Sequence, residues 1–373
     1  MSEPVKYHIG GFPPDDLDWE SLIPLIGPAN AALARYDGTL HAIPNVAVLL
    51  SPLMTQEAVL SSKIEGTQAT MSEVLEFEAE GDVKSIPVEK RDDIEEILNY
   101  RQAMYHAEIM LEKLPLCQRV IRETHKVLMT GVRGHKKSPG KYRKGSNWIG
   151  PPGCTIEEAK FIPVSAGILP DAMSAWEKYI HADSLDRLVQ LAVLHAEFEA
   201  IHPFLDGNGR LGRMLVPLFM AKTELLSVPM FYISAFFERN RDEYYERLLT
   251  VSRDGDWTQW VSYFLEAIIQ QAEENQRKAD AILGLYEKSK AEFSKVIHSQ
   301  YSINALDFIF QRPIFRSPDF IKDPEIPSPT ARRILKLLRD NCTLTTIRPG
   351  GGRRAGIYAF SELLNIAEGR DLF

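Results

Sequence analysis

Apolar residues recur with a period near 3.6 over most of the chain, the spacing that turns one face of a helix toward a core. Across residues 88–112 that face is Ile94, Ile97, Leu98, Tyr100, Ala103, Met104, Ile109 and Met110, and residues 115–129 repeat the pattern more briefly. The same periodicity predicts helices over 169–181, 185–200, 211–222, 242–251 and from 257 to about 289. No alternation of strand with helix, internal repeat or low-complexity tract interrupts this body, so the predicted class is all-α.

Toward the N-terminus, residues 1–50 are punctuated by Pro and Gly, and no element is predicted there. Ser51-Pro52 then opens a helix carrying Leu53, Met54, Ala58, Leu60 and Ile64, with Gly66 as its stop. A second short helix follows from Thr70-Met-Ser-Glu73, which has the spacing of a capping box. Between 131 and 155, turn formers and six Lys or Arg leave no periodicity, and Lys160-Phe-Ile-Pro163 then reads as extended. A long loop ending in a β-hairpin flap is predicted, because structureless stretches of this length in compact domains are usually functional. From about residue 293 the character changes, with helices predicted over 302–310 and 328–340 and strands over 344–347 and 357–360. A basic, Gly-rich tip separates those strands, the description of a C-terminal winged helix-turn-helix.

Length and composition refine this picture. At 373 residues the chain is predicted to hold two or three domains: an N-terminal region over 1–88, a helical core over 89–290 and the winged-helix tail over 291–373. With 45% hydrophobic and 25% charged residues it is an ordinary globular chain. Cys117, Cys154 and Cys342 form no CxxC pair, which fits a reducing compartment. Neither a signal peptide nor a run of about 18 apolar residues is present, so a cytoplasmic protein without a membrane partner is expected. The net charge of -8 argues against a chain that coats nucleic acid as a whole. Residues 328–354, however, hold seven Lys or Arg against Asp340 alone, a candidate DNA face with 330–338 as recognition helix and Arg353-Arg354 on the wing.

The densest chemistry lies in His202 to Arg213, HPFLDGNGRLGR. Gly207, Gly209 and Gly212 match the GxGxxG dinucleotide fingerprint formally, but a predicted helix precedes them where that fingerprint requires a strand. What survives the change of fold is the physics: glycines admit a ligand close to the backbone, and a helix start offers free N–H groups to an anion. Arg210 and Arg213, three apart, can grip phosphate oxygens, and Asp206 among them suggests a bridging Mg2+. His202 is placed to take a proton from an incoming hydroxyl. Each of these residue types alone is commonly structural; base, metal ligand and anion cradle within twelve residues favour a site. His195-Ala-Glu197 and Glu199 complete neither a zinc deaminase nor a metalloprotease signature and read as helix residues.

The segment resembles the motif of Fic-domain proteins, His-x-Phe-x-(Asp/Glu)-Gly-Asn-Gly-Arg-x-x-Arg, and matches it at His202, Phe204, Asp206, Gly207, Asn208, Gly209, Arg210 and Arg213. The resemblance implies a Fic-fold helical core and transfer of AMP from ATP to a Ser, Thr or Tyr hydroxyl of a protein, itself included as a target. It implies His202 as base, Asp206 as Mg2+ ligand and Phe204 as the loop's buried anchor. Gly207, Asn208 and Gly209 would form the anion hole, with Arg210 and Arg213 on the outer phosphates and Tyr244 beside the adenine. The flap would align the target by strand addition. A branch of the family that phosphorylates its target has Lys at the position of Gly209, so the glycine favours AMP transfer.

Glu65 falls in the last turn of its predicted helix, where the helix dipole disfavours a negative charge, so a distant cation is its expected partner. Ser61, one turn earlier, is placed to hold the carboxylate by a hydrogen bond. Ser61-Ser-Lys-Ile-Glu65-Gly66 resembles the inhibitory motif (Ser/Thr)-x-x-x-Glu-(Gly/Asn) of the same family. That resemblance implies an inhibitory helix over about 52–65 and a Glu65–Arg213 pair that blocks productive ATP binding. Two further readings stand beside it: removal of AMP by way of Glu65, and a DNA-binding regulator whose Fic core is vestigial. A homodimer is a further expected partner state.

Overall fold

The computed structural model describes residues 3–80, 87–131, 137–151, 153–351 and 354–371. Strand β1 (Val5–Lys6) is followed by α1 (Trp19–Ala42), α2 (Val46–Leu49), α3 (Ser51–Ile64), α4 (Met71–Glu80), α5 (Val88–Leu111) and α6 (Gln118–Leu128). After β2 (Phe161–Ile162) come α7 (Leu169–Ile180), α8 (Arg187–Ile201), α9 (Asn208–Lys222), α10 (Ser234–Arg239), α11 (Arg241–Asp254) and α12 (Trp257–Ile297). The remainder holds α13 (Ser302–Gln311), β3 (Ile314–Arg316), α14 (Ser317–Ile321), α15 (Ser328–Asp340), β4 (Thr345–Arg348), β5 (Ile357–Ala359) and α16 (Ser361–Glu368). The chain is mainly helical, as its periodicity predicts.

The chain divides into two compact units that interleave along the sequence. One comprises residues 1–37, 60–67 and 98–273, and the other 38–59, 68–97 and 274–373. In the first, α8 is the central element: every residue of Leu188–Phe198 is buried, because its sequence offers no polar face. Helices α7, α9 and α11 pack around it. Trp176 and Trp260 tie their indole N–H groups to the Leu194 and Ala192 carbonyls of α8 at 2.9 and 2.7 Å. At its start, the Asp186 carboxylate accepts from the Leu188 and Val189 N–H groups, satisfying donors that the first turn leaves open.

The second unit contains an antiparallel sheet in the order β3-β5-β4. Phe308, Phe315 and Phe320 meet there edge to face or tilted, with centroids 5.1 to 5.7 Å apart, and α4 packs against β3. Glu80, at the end of α4, pairs with Arg348 of β4. Arg353 and the loop residues Arg133 and Lys136 lie outside the described residues.

Three expectations change. The Pro-punctuated N-terminus is not without structure: α1 runs through Pro24 and Pro28, since burial of Leu22, Ala29, Leu33 and Tyr36 outweighs two missing N–H donors. Among the described residues the flap is not a hairpin of two strands but one antiparallel bridge, Ile149 to Phe161, whose partner on the other side is β1, pairing in parallel with β2. Helix α9 starts at Asn208 rather than Leu211, because Gly207 at φ 77° closes the turn and leaves the next residues free to wind.

Candidate active site

His202 sits where α8 ends and carries the unusual φ of 48°. Pro203 follows and cannot continue a helix, so the backbone reverses there, held by the His202 N–H on the Phe198 carbonyl at 3.0 Å. Arg143 clamps this reversal from the loop. Its buried guanidinium donates to the carbonyls of His202, Gly145, Val164 and Ile201, and its own N–H bonds the Pro203 carbonyl. Burial among neutral acceptors pushes its pKa down to about 10, still charged at neutral pH.

The loop beyond is pinned from within. Asn208 accepts the Phe204 N–H at 2.8 Å and donates to the Phe204 carbonyl at 2.9 Å, so its side chain shapes the loop while its backbone opens α9. Phe204, fully buried, stacks on His125 with centroids 3.7 Å apart. His125 Nδ1 accepts the Gly140 N–H, which leaves Nε2 to donate to the Asp206 carbonyl at 2.9 Å. Burial lowers the His125 pKa to about 4, keeping it neutral for this pairing. A Cβ on Gly207 would press on the Met129 sulfur, and the φ of 77° itself favours glycine here.

Around the loop the charges converge. Asp206 accepts the Gly207 N–H at 2.7 Å and lies 3.3 Å from Lys137 Nζ and 3.7 Å from Arg210 Nη2. Arg213 is buried and donates through Nη2 to Glu65 Oε1 and the Ser61 carbonyl, both at 2.7 Å, and through Nε to Ser61 Oγ at 2.9 Å. Ser61 therefore serves Arg213 rather than Glu65, a correction that follows from Arg213 reaching past the carboxylate into the end of α3. Glu65 lies one residue beyond α3, with its carboxylate over Gly209, where any Cβ would overlap it. Burial works to raise its pKa, but the charge and hydrogen bond of Arg213 prevail and lower it. Arg213 is in turn held firmly protonated: burial opposes its charge and the Glu65 carboxylate more than offsets that.

A cleft of about 810 Å³ is bounded by Glu65, Glu199, His202, Gly209, Arg213 and the flap residues Ile149 and Phe161. Burial depresses the His202 pKa to about 4, against the pull of Glu65, so the imidazole is neutral at pH 7 and able to accept a proton. Glu199 is pushed up to about 8 by burial, with Arg213 opposing, and carries a proton at neutral pH. Tyr244 lines the wall of the cleft but is only 1% exposed, bonds His195 Nε2 at 2.9 Å and stacks on Phe237 at 4.3 Å. Tyr245, 40% exposed and with Arg241 over its ring, presents the open aromatic face to the cleft.

Comparison with known proteins gives the family. Residues 23–108 match the Fic/DOC family N-terminal region and residues 115–220 the Fic/DOC family itself. The chain belongs to the Fic family. The protein adenylyltransferase Fic of Drosophila virilis is 29% identical over 212 residues, which cover 54% of this chain and 39% of that protein. That of Drosophila persimilis is 28% identical over 212 residues, 54% of this chain and 37% of the relative. This Fic protein thus spans about two fifths of the length of those relatives. A Fic family protein from Desulfovibrio desulfuricans G20 shares the fold with a TM-score of 0.57 at 20% identity, covering 91% of this chain and 95% of its own. Fic-1 from C. elegans aligns with a TM-score of 0.52 at 16% identity, covering 73% and 75%.

Two residues of this Fic site escape a reading of the sequence alone. Arg143 is hidden in a Lys- and Arg-rich loop in which the described Lys137, Lys141 and Lys144 are exposed, and only its burial singles it out. His125 lies 81 residues from the loop it supports and has no motif. Among the described residues no group of three or more His, Cys, Asp or Glu could hold a metal. Asp206 nevertheless fits Mg2+, an ion typically held by one or two carboxylates together with substrate phosphates.

Proposed function

We propose that this protein moves AMP from ATP to a protein hydroxyl, and that Glu65 holds it in check. The observation that carries this reading is the Glu65–Arg213 contact beside a neutral His202. His202 removes the proton from the acceptor hydroxyl, whose oxygen bonds the α-phosphorus as the bond from that phosphorus to the β-phosphate bridging oxygen breaks. Pyrophosphate leaves. Backbone N–H groups at the start of α9, with Arg210 and Arg213, hold its oxygens. Mg2+ on Asp206 supplies charge neutralisation of the phosphates when bound. Tyr245, with Arg241 over its ring, offers the more exposed aromatic face for adenine, next to Tyr244, which lines the same cleft.

While Glu65 occupies Arg213, the outer phosphate lacks its cation, and ATP sits unproductively. A coupling of about 1–3 kcal/mol, the usual range between sites, alters productive binding some 5- to 150-fold. The order α13, β3, α14, α15, β4, β5 supports reading the tail as a winged helix-turn-helix, with exposed Arg332 and Lys336 on α15 as the face DNA would meet.

Incubation with labelled Mg-ATP tests the reaction. Glu65→Gly is expected to raise incorporation of AMP into the protein or a target, and His202→Ala to abolish it. Mass spectrometry showing an added phosphate in place of AMP, or equal labelling of Glu65→Gly and the parent, overturns the reading.

A further inference from the structure

The flap is too slight to hold itself. Among the described residues its own pairing is one bridge, in which Ile149 N–H donates to the Phe161 carbonyl at 2.9 Å and the Ile149 carbonyl accepts from the Lys160 and Phe161 N–H groups at 2.8 and 3.1 Å. Isolated pairs of strands are marginal in water even when several residues long. The other edge of β2 is taken by the chain's own N-terminus: Val5 N–H donates to the Lys160 carbonyl at 3.1 Å and Tyr7 N–H to the Ile162 carbonyl at 3.0 Å.

Side chains fasten this strand to the walls of the cleft. The Tyr7 hydroxyl donates to Glu197 Oε1 at 2.6 Å, and His8 Nε2 meets Glu197 Oε2 at 2.8 Å. Glu197 is fully buried on α8, one and a half turns before His202. His8 Nδ1 contacts Ser252 Oγ of α11 at 2.7 Å, its ring meets Trp257 edge to face at 5.2 Å, and β1 packs along α11. Satisfying a buried carboxylate with two donors from one short segment makes that segment costly to detach.

We propose that residues 5–8 are a strap that positions the flap for the acceptor polypeptide, Glu197 being its anchor and Tyr7 and His8 its positioning residues. The strap closes the β2 edge, so an acceptor segment meets the flap along the opposite arm, Trp148–Ile149–Gly150. There Trp148 and Ile149 are 42% and 36% exposed, a surface that suits an extended segment bearing an apolar side chain. Neither β1 nor its anchors line the cleft beside Arg213; the strap reaches it only through the flap residues Lys160 and Phe161. The inference rests on the adenylyl-transfer reading for its function, but not for its structure.

The test uses the full chain in the Glu65→Gly background, with Val5→Pro to delete one strap N–H and Tyr7→Phe to delete the anchoring hydroxyl. Amide exchange at Ile149 and Phe161 is expected to quicken by roughly fivefold per lost bond, while the Kd for Mg-ATP stays within about twofold. Labelled AMP transfer onto the chain's own copies at saturating Mg-ATP should fall in step with the exchange, and Val5→Ala, which keeps the N–H, should restore both. Unchanged exchange overturns the strap. Faster exchange with the parental rate of transfer, or a Kd for Mg-ATP that rises in parallel, overturns its role toward the acceptor. If Glu65→Gly itself transfers nothing, the reaction assignment fails, and exchange still decides whether the strap holds the flap.

Discussion

Gly209 carries two demands at one position. It is the second glycine of the phosphate loop, and the Glu65 carboxylate lies where its Cβ would be. Gly209→Ala is therefore expected to expel Glu65 and cost about 1–3 kcal/mol, the range for overpacking a filled site. In the Glu65→Gly background only Arg213 Nη1, 3.0 Å from that Cβ, has to give way, and the same substitution should cost less. Thermal unfolding of the four proteins measures the coupling, and additive costs would mean that the two residues do not compete for this space. The motif made Gly209 legible in the sequence as a glycine that a ligand approaches. That its neighbour would be a carboxylate 144 positions away was legible only through resemblance, because Glu65 and Gly209 meet through tertiary packing.

At the scale of elements, α8 and α9 place the chemistry, and the turn between them is over-determined. Periodicity located α8 within two residues at its start and one at its end, because a helix without a polar face leaves a clear apolar run. It missed the start of α9 by three residues, since Gly-Asn-Gly reads as turn until the αL geometry of Gly207 shows the helix beginning after it. What the sequence did not display is the clamp on this turn. Arg143→Ala leaves four carbonyl acceptors without their donor and should destabilise by at least about 3 kcal/mol, with transfer in the Glu65→Gly background falling as His202 loses its seat. Arg143→Lys should recover only part of either loss in denaturant unfolding and labelling assays, because one ammonium cannot reach the acceptors a planar guanidinium spans. Full recovery by lysine would show that charge alone, not the fork, is needed.

The molecule as a whole determines which of these groups are charged. Glu199 lies on α8 beside Arg213, yet burial outweighs that cation and lifts its pKa from 4.5 to about 8. The sign follows from the folded state holding the proton more tightly. Its folding penalty is absent below the unfolded value, grows as pH rises above about 4.5, and is complete once pH passes about 8. Glu199→Gln, neutral at every pH, should accordingly unfold at a temperature that gains on the parent steadily between pH 5 and about pH 8.5. A constant difference over that window would show that Glu199 titrates normally.

By itself, the sequence determined the all-α class, most helix positions, the loop from His202 to Arg213 and, through resemblance, the pairing of Glu65 with Arg213. These are properties of local spacing: a helix face and a phosphate loop are written within one or two dozen residues. Only the tertiary structure decided that Ser61 serves Arg213, that Tyr245 is more exposed than Tyr244, and that residues 5–8 complete the flap. The physical reason is common to all three. Burial, hydrogen-bond partners and strand edges are set by segments that meet across the fold, and no local pattern records which distant group arrives first.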